Sequence, residues 1–175
     1  MVSGIVVGLL LAEQRVSRRH ETQLKERGAV APPGDVYRAM AVVYPTAFVA
    51  MFAEGQWRAA SLGGAALPVD DGPAWFVSGA VLFVAAKALK YWAIAALGDR
   101  WTFRVIIEPG RPLVHIGPYR YLAHPNYVAV VGELVGVALM AGAVVTGPVA
   151  SAAFGALLWR RVRFEARAHL SANLP

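Results

Sequence analysis

Apolar residues fall into five blocks along the chain, separated by polar or charged stretches. The first covers about 1–14 and passes into a charged helical stretch from Glu13 to Arg27, which Gly28 and the run Pro32-Pro33-Gly34 bring to an end. The second, about 36–54, contains Pro45, and a loop carrying Asp70 and Asp71 follows it. The third, 73–97, opens at Pro73 and is interrupted by Lys87 and Lys90. The fourth and fifth, 125–142 and 147–160, begin at or beside Pro125 and Pro148, and proline suits the first turn of a helix because the N–H it lacks has no partner there. Each block approaches the roughly 20 residues that a membrane-spanning helix needs. The pattern predicts an all-α integral membrane protein with about five transmembrane helices in one domain, 1–175. A polar segment, 98–121, with a turn at Pro109-Gly110, joins the third and fourth helices, and a charged extension follows the fifth. If residues 1–11 lie in the membrane interface, four spans remain and the loops keep their sides.

Composition supports the membrane reading. Of the 175 residues, 57% are hydrophobic and 16% charged. The mean hydropathy is +0.49. A soluble domain carries about 45–50% apolar and roughly 25% charged residues, so both an ordinary cytosolic globule and a disordered chain are excluded. The net charge is +6. Six Lys and Arg lie in 15–38, four in 98–124 and four after residue 159, leaving Arg58, Lys87 and Lys90. Five spans put the three basic segments on one face, which the distribution of basic loops assigns to the cytoplasm, with the N-terminus outside. Basic loops beside spans account for the charge without nucleic acid. The sequence has no cysteine, which excludes disulfides, thiolate metal sites and cysteine nucleophiles. His20, His115, His124 and His169 show no metal-binding spacing, and Gly63-Gly64 lacks the strand–helix context of a nucleotide fingerprint. The apolar start has no basic n-region or cleavage site, so a removed signal peptide is not expected.

The stretch 111–133 holds the candidate chemistry: Arg111, His115, Gly117, Tyr119, Arg120, Tyr121, His124, Pro125, Tyr127 and Glu133. It is an irregular polar segment feeding a helix through His124-Pro125. The histidine can cap that helix, whose free N–H groups favour a polar or anionic ligand. The three tyrosines offer flat faces for stacking or for a cation. An interfacial aromatic belt fits the same residues. Glu133 lies eight residues past Pro125, about 12 Å along its helix, and Lys87 lies about 15 Å from the cytoplasmic end of the third. A carboxylate at that depth faces the interior and usually has a partner, and one reading pairs it with Lys87 or Lys90 near the floor of the site. The alternative is that Lys90 snorkels and Glu133 bonds a neighbouring hydroxyl or backbone group. Gly132-x-x-x-Gly136 and Gly147-x-x-x-Ser151-x-x-x-Gly155 form small-residue ridges expected to pack the fourth helix against the fifth, within the chain or between protomers.

The run L-V-x-x-G-P-Y-R-Y-x-x-H-P-N-Y from Leu113 to Tyr127, with R-V-R-F-E from Arg161 to Glu165, resembles the signature of the isoprenylcysteine carboxyl methyltransferase family. The order of spans is similar too. Four positions depart from the family pattern: Arg111 stands for a histidine, Ala123 for the arginine before His-Pro, Ala129 for a glycine and Ala166 for a second glutamate. R-H-E-T-Q-L-K-E-R-G-A (19–29), Tyr44-Pro45, L-K-Y-W (89–92) and G-D-R-W-T-F-R-V-I (98–106) resemble a bacterial branch associated with type III polyketide synthases and with O-methylation of alkylpyrones or phenolic lipids.

The resemblance implies an enzyme of the bacterial cytoplasmic membrane with its site facing the cytoplasm. Its cofactor would be S-adenosylmethionine. Its acceptor would be lipophilic, carrying a carboxylate or an alkylpyrone or phenolic hydroxyl. Bacteria generally lack CAAX prenylation, so a prenylcysteine protein is not the expected acceptor. Arg161, Glu165 and His124 are the implied catalytic residues. Val114, His115, Gly117, Tyr119, His124, Pro125, Tyr127 and Glu165 would hold the cofactor. Trp101, Arg104, Arg120 and Glu133 are candidates for acceptor contact. A phospholipid N-methyltransferase, a nicotinamide-dependent sterol-type reductase and a non-catalytic membrane protein are the alternatives. Apart from the family, Arg161, Arg163 and Arg167 can be cytoplasmic anchors, and Glu165 can simply pair with them along the helix.

Overall fold

In a computed structural model, residues 2–61, 72–108 and 110–172 are described. They form five α-helices: α1 (Val2–Glu26), α2 (Tyr37–Ser61), α3 (Gly72–Leu97), α4 (Pro125–Ala141) and α5 (Thr146–Ala172). Single 3₁₀ turns at Gly98–Arg100 and Gly117–Arg120 lie between α3 and α4. No strand occurs among the described residues. An isolated antiparallel bridge pairs Val30 with Ile107, each N–H reaching the other's carbonyl at 2.9 Å.

The helix starts follow the prolines. Pro125 opens α4 at its first position. α2 continues to Ser61, beyond the expected end at 54, because Glu54 belongs to the helix and not to the following loop. From there its carboxylate reaches the N-terminus of α5, accepting the N–H of Val145 (3.0 Å), the N–H of Thr146 (2.7 Å) and the hydroxyl of Thr146 (2.6 Å). An anion at the positive end of a helix is a favourable cap. Asp70, Asp71 and Pro109 lie outside the described residues.

α3 and α4 make the most extensive contact in the molecule. The expected packing of the glycine ridges needs correction. Gly136 approaches α3: a Cβ there would lie 2.9 Å from the carbonyl oxygen of Gly79 and 2.9 Å from the N–H of Phe83. Gly132 meets Ala86 on the same helix, Gly147 alone closes the α4–α5 hairpin against Ala138, and nothing lies within 4 Å of a Cβ at Gly155. The small residues thus bring α4 backbone against α3 backbone, and not chiefly against α5.

The apolar core gathers Phe48 and Met51 of α2, Phe83 of α3, Leu134 and Val137 of α4 and Phe154 and Leu158 of α5. α1 adds Val6 to this core, with Leu9 and Leu10 packed beside it, and is joined by polar contacts further along. Its Ser17 hydroxyl accepts the N–H of Phe103 (2.7 Å), His20 meets the carbonyl of Trp101 (2.8 Å), and Arg27 pairs with Asp99. These polar contacts fix the segment 99–107 against α1.

Among the described residues one helical stretch, Ala74–Arg100, is long and apolar enough to cross a bilayer, while α4 is apolar but shorter. Val42 and Val49 on α2, Val77, Val81 and Val84 on α3, and Val149 and Trp159 on α5 are exposed.

Candidate active site

α2, α5 and the 101–127 segment enclose a cavity of about 1020 Å³ whose remaining wall includes Leu10, Leu11 and Gln14 of α1. Its two ends differ in chemistry. Leu11, Val49, Phe52 and Phe154 make one part apolar, whereas the other holds Tyr119, His124, Tyr127, Arg161 and Glu165.

The polar end is built around Arg161, which is 5% exposed. Its Nε donates to the hydroxyl of Tyr127 (2.8 Å) and to Oε1 of Glu165 (3.2 Å), one helical turn away. Tyr127 also donates to Glu165. On the other side Nη1 of Arg161 lies 3.7 Å from Oδ1 of Asp35 and 3.7 Å from Sδ of Met40. Asp35 accepts the N–H of Tyr37 (3.0 Å) and the N–H of Val105 (2.9 Å), so one carboxylate ties the start of α2, the 101–107 segment and Arg161 together. His124 stacks on Tyr127 with ring centres 5.1 Å apart and places Nδ1 3.5 Å from Oε2 of Glu165. The expected side-chain cap is absent: His124 holds the N-cap position of α4, but its imidazole makes no capping bond and faces Glu165.

The G-P-Y-R turn depends on its glycine. Gly117 has φ +58°, and a Cβ there would lie 2.9 Å from that of Ala96, so only glycine lets the turn rest on the end of α3. Tyr119, the third residue of the turn, reaches the cavity. Burial, then the charge of Glu165, pushes its phenol up to about 12. At the cavity edge partial burial pushes the Glu21 carboxyl up, but hydrogen bonds from Lys25 and Arg104 outweigh this and hold it below its ordinary value.

The cavity therefore gathers Val114, His115, Tyr119, His124, Tyr127, Arg161 and Glu165 from the expected set, with Trp101 and Arg104. Gly117 and Pro125 support the wall from behind, Pro125 being fully buried. Arg120 lies outside the lining, with its guanidinium 6.0 Å from the ring of Tyr121. Glu133 is also outside the lining, 1% exposed, and its carboxylate is engaged elsewhere.

Glu133 belongs to a buried ionic cluster. Lys87 Nζ lies 2.7 Å from Glu13 and 3.0 Å from Glu133, and Lys90 Nζ lies 2.6 Å from Glu13 and 3.2 Å from Glu133. The Tyr44 hydroxyl donates to Glu133. The expected lysine–Glu133 pair is present with both lysines, and Lys90 is buried within the cluster. Glu13 on α1 completes the charge balance, two carboxylates against two ammoniums. Sequence reading assigned Glu13 to the charged stretch, met Tyr44 only within the bacterial-branch resemblance, and passed over Asp35. Only the apolar setting of Tyr44 and the position of Asp35 before an aromatic helix start hint at them.

Trp101 and Asn126 line the cavity, and each carries a fully buried polar atom, Nε1 and Oδ1, with no hydrogen-bond partner among the described residues. A buried donor and acceptor left unpaired cost stability.

Sequence comparison places these residues in a wider group. A Bacillus subtilis (strain 168) protein, the uncharacterized protein YpbQ, is 28% identical over 169 residues, covering 96% of this chain and 94% of its own. No solved structure matches. The sequence model of the isoprenylcysteine carboxyl methyltransferase (ICMT) family matches residues 79–171, which include the 113–127 segment, Arg161 and Glu165. With more than half of the chain matched, this protein belongs to the isoprenylcysteine carboxyl methyltransferase family.

Proposed function

We propose that the protein is a membrane O-methyltransferase that moves the methyl group of S-adenosylmethionine to an oxygen of a lipophilic acceptor. The observation that carries this reading is the two-ended cavity, where a charged, aromatic pocket meets an apolar channel walled by α1, α2 and α5. Family membership points to a membrane methyltransferase. The exposed valines and Trp159 support five helices in lipid, and the basic segments support a site at the cytoplasmic face.

The residues present fit the cofactor. The Glu165 carboxylate and the faces of Tyr119 and Tyr127 line one end of the cavity and favour a cation such as a sulfonium. Val114, His115, Tyr119, His124, Tyr127 and Glu165 would hold it, with Gly117 and Pro125 shaping the wall. When bound, S-adenosylmethionine supplies a methyl group on a sulfonium, open to in-line displacement by an oxygen.

The chain's own contribution is mostly positioning. Arg161, fixed between Asp35 and Glu165, can hold an anionic oxygen in the line of attack. A carboxylate or acidic enol arrives already ionised. A phenol, with a pKa near 10 as in tyrosine, needs its proton removed, and His124 beside Glu165 can accept it. Ala123 and Ala166, where the family pattern has Arg and Glu, both line the cavity, and their small side chains leave room beside the reacting atoms.

The test is binding of labelled S-adenosylmethionine to purified protein, followed by turnover with alkylpyrone, alkylresorcinol, prenylcysteine and phosphatidylethanolamine acceptors. Cofactor binding with methylation of an oxygen acceptor is expected. Methylation of the amine lipid alone, or absence of cofactor binding, overturns the reading.

A further inference from the structure

A smaller cavity, about 340 Å³, lies beside the first and shares Tyr37, Arg104 and Val105 with it. Its other walls are the 31–35 turn and Arg38. Pro32 and Pro33 restrict the backbone of that turn, so the cavity is largely preformed. Its side chains carry a surplus of positive charge. Asp35 is already engaged: its carboxylate accepts two backbone N–H groups and lies 3.7 Å from Arg161. Arg104 lies over the ring of Tyr37, 5.5 Å from its centre, and gives Nη1 to Glu21 (3.2 Å), which Lys25 also meets. That one bond leaves most of its five N–H groups unused. Arg38 is exposed, and its side chain has no hydrogen bond or ion pair among the described residues. Two guanidiniums with donors to spare suit a phosphate.

The helix face below Arg38 points to what carries the phosphate. Val42, Pro45 and Val49 follow Arg38 at helical spacing, so the four share one face of α2, and all four are exposed. From Arg38 to Val49 that face runs about 16 Å. One leaflet of a bilayer holds about 15 Å of hydrocarbon, half of the roughly 30 Å core. A soluble phosphate accounts for the arginines and leaves the apolar stripe without a partner. A phospholipid accounts for both, with its headgroup in the cavity and an acyl chain along the stripe.

We propose that this cavity is a binding site for an anionic phospholipid of the cytoplasmic leaflet, with the phosphodiester at Arg38 and Arg104 and one acyl chain along Val42, Pro45 and Val49. Basic pockets on the cytoplasmic side of membrane helices hold such headgroups. The site is separate from the reaction centre and touches it at one residue: Asp35 lines this cavity and faces Arg161. The proposal rests on α2 lying in the bilayer and needs neither cofactor nor methyl transfer.

The chain has no cysteine, so a single bimane label can be attached at Val42→Cys or, as a control, at Val128→Cys, an exposed position near the cytoplasmic end of α4. The full chain is placed in phosphatidylcholine vesicles containing a small fraction of phosphatidylglycerol or phosphatidylcholine with the same brominated chains, which quench a label they lie against. The ratio of phosphatidylglycerol to phosphatidylcholine quenching at Val42 is expected to exceed that at Val128 by roughly fivefold, the scale of one arginine at an anionic surface. Arg38→Gln and Arg104→Gln are each expected to bring it down towards the Val128 value, with circular dichroism unchanged. Equal ratios at the two positions, or an excess at Val42 that survives in both variants, overturns the proposal. So does loss of the excess on adding millimolar glycerol phosphate, which marks a site for a soluble phosphate. A label at Val42 that neither lipid quenches contradicts the membrane placement of α2, and the proposal with it.

Discussion

Arg161 shows how much of the site depends on single contacts. Its guanidinium is held by Tyr127 and Glu165 on one side and Asp35 on the other. Lysine keeps the charge but loses the planar fork. Arg161→Lys is expected to lower methyl transfer by about 10²-fold, the scale of losing one positioned donor, with helical content by circular dichroism unchanged. Tyr119 gives a pH prediction. Its folded pKa, about 12, lies above the ordinary value of 10.0, so the folded state holds this proton more tightly than the unfolded one. The stability linked to it is complete below pH 10 and is lost as pH rises towards 12. Unfolding followed against pH should show this alkaline loss in the wild type, and Tyr119→Phe should remove that part of it. The sequence already exposed Arg161, Glu165 and His124 as a motif. It could not expose Asp35, which meets Arg161 from the far end of the chain.

The helices test the packing argument. Gly136 of α4 and Gly79 of α3 meet backbone to backbone, so Gly136→Ala pushes the two helices apart, and a cost of about 1–3 kcal/mol is expected. Gly155→Ala, with open space around its Cβ, should be near neutral in the same thermal melts. Glu54→Ala removes the carboxylate that caps α5 and is expected to cost about 1 kcal/mol, a loss of a few degrees in Tm. All five helices were legible as apolar blocks, the last three opened at or beside prolines. Which helix receives a small-residue ridge was not, because spacing identifies the face and says nothing of its neighbour. The α2 boundary was hidden for a related reason: the charge of Glu54 read as the end of the block, until its partner, the start of α5, was brought beside it.

Across the whole molecule four of the ionisable groups in the apolar blocks prove to be paired with one another. Glu13, Lys87, Lys90 and Glu133 come from three helices and balance in charge. Glu133→Gln alone leaves ammoniums under-compensated in the interior and is expected to cost about 3–5 kcal/mol, whereas adding Lys87→Met should recover much of it. Melting of the two single variants and the double variant checks the coupling. Depth along the helices admitted a lysine–Glu133 pair beside the reading in which Lys90 snorkels, and the structure has the pair. Glu13 escaped because it sits where the apolar start of α1 turns into a charged helix, and charge there reads as solvated surface. Fourteen of the 17 basic residues flank the apolar blocks, and the described residues enclose a cavity with a charged end and an apolar end. The most direct measurement is transfer of a labelled methyl group from S-adenosylmethionine to an alkyl-tailed oxygen acceptor by the purified protein, wild type beside Arg161→Lys. Labelled methyl ether or ester formed by the wild type and largely lost in the variant is the predicted result. No label transferred by wild-type protein that is folded and supplied with both substrates, or equal transfer by the two proteins, would contradict the account.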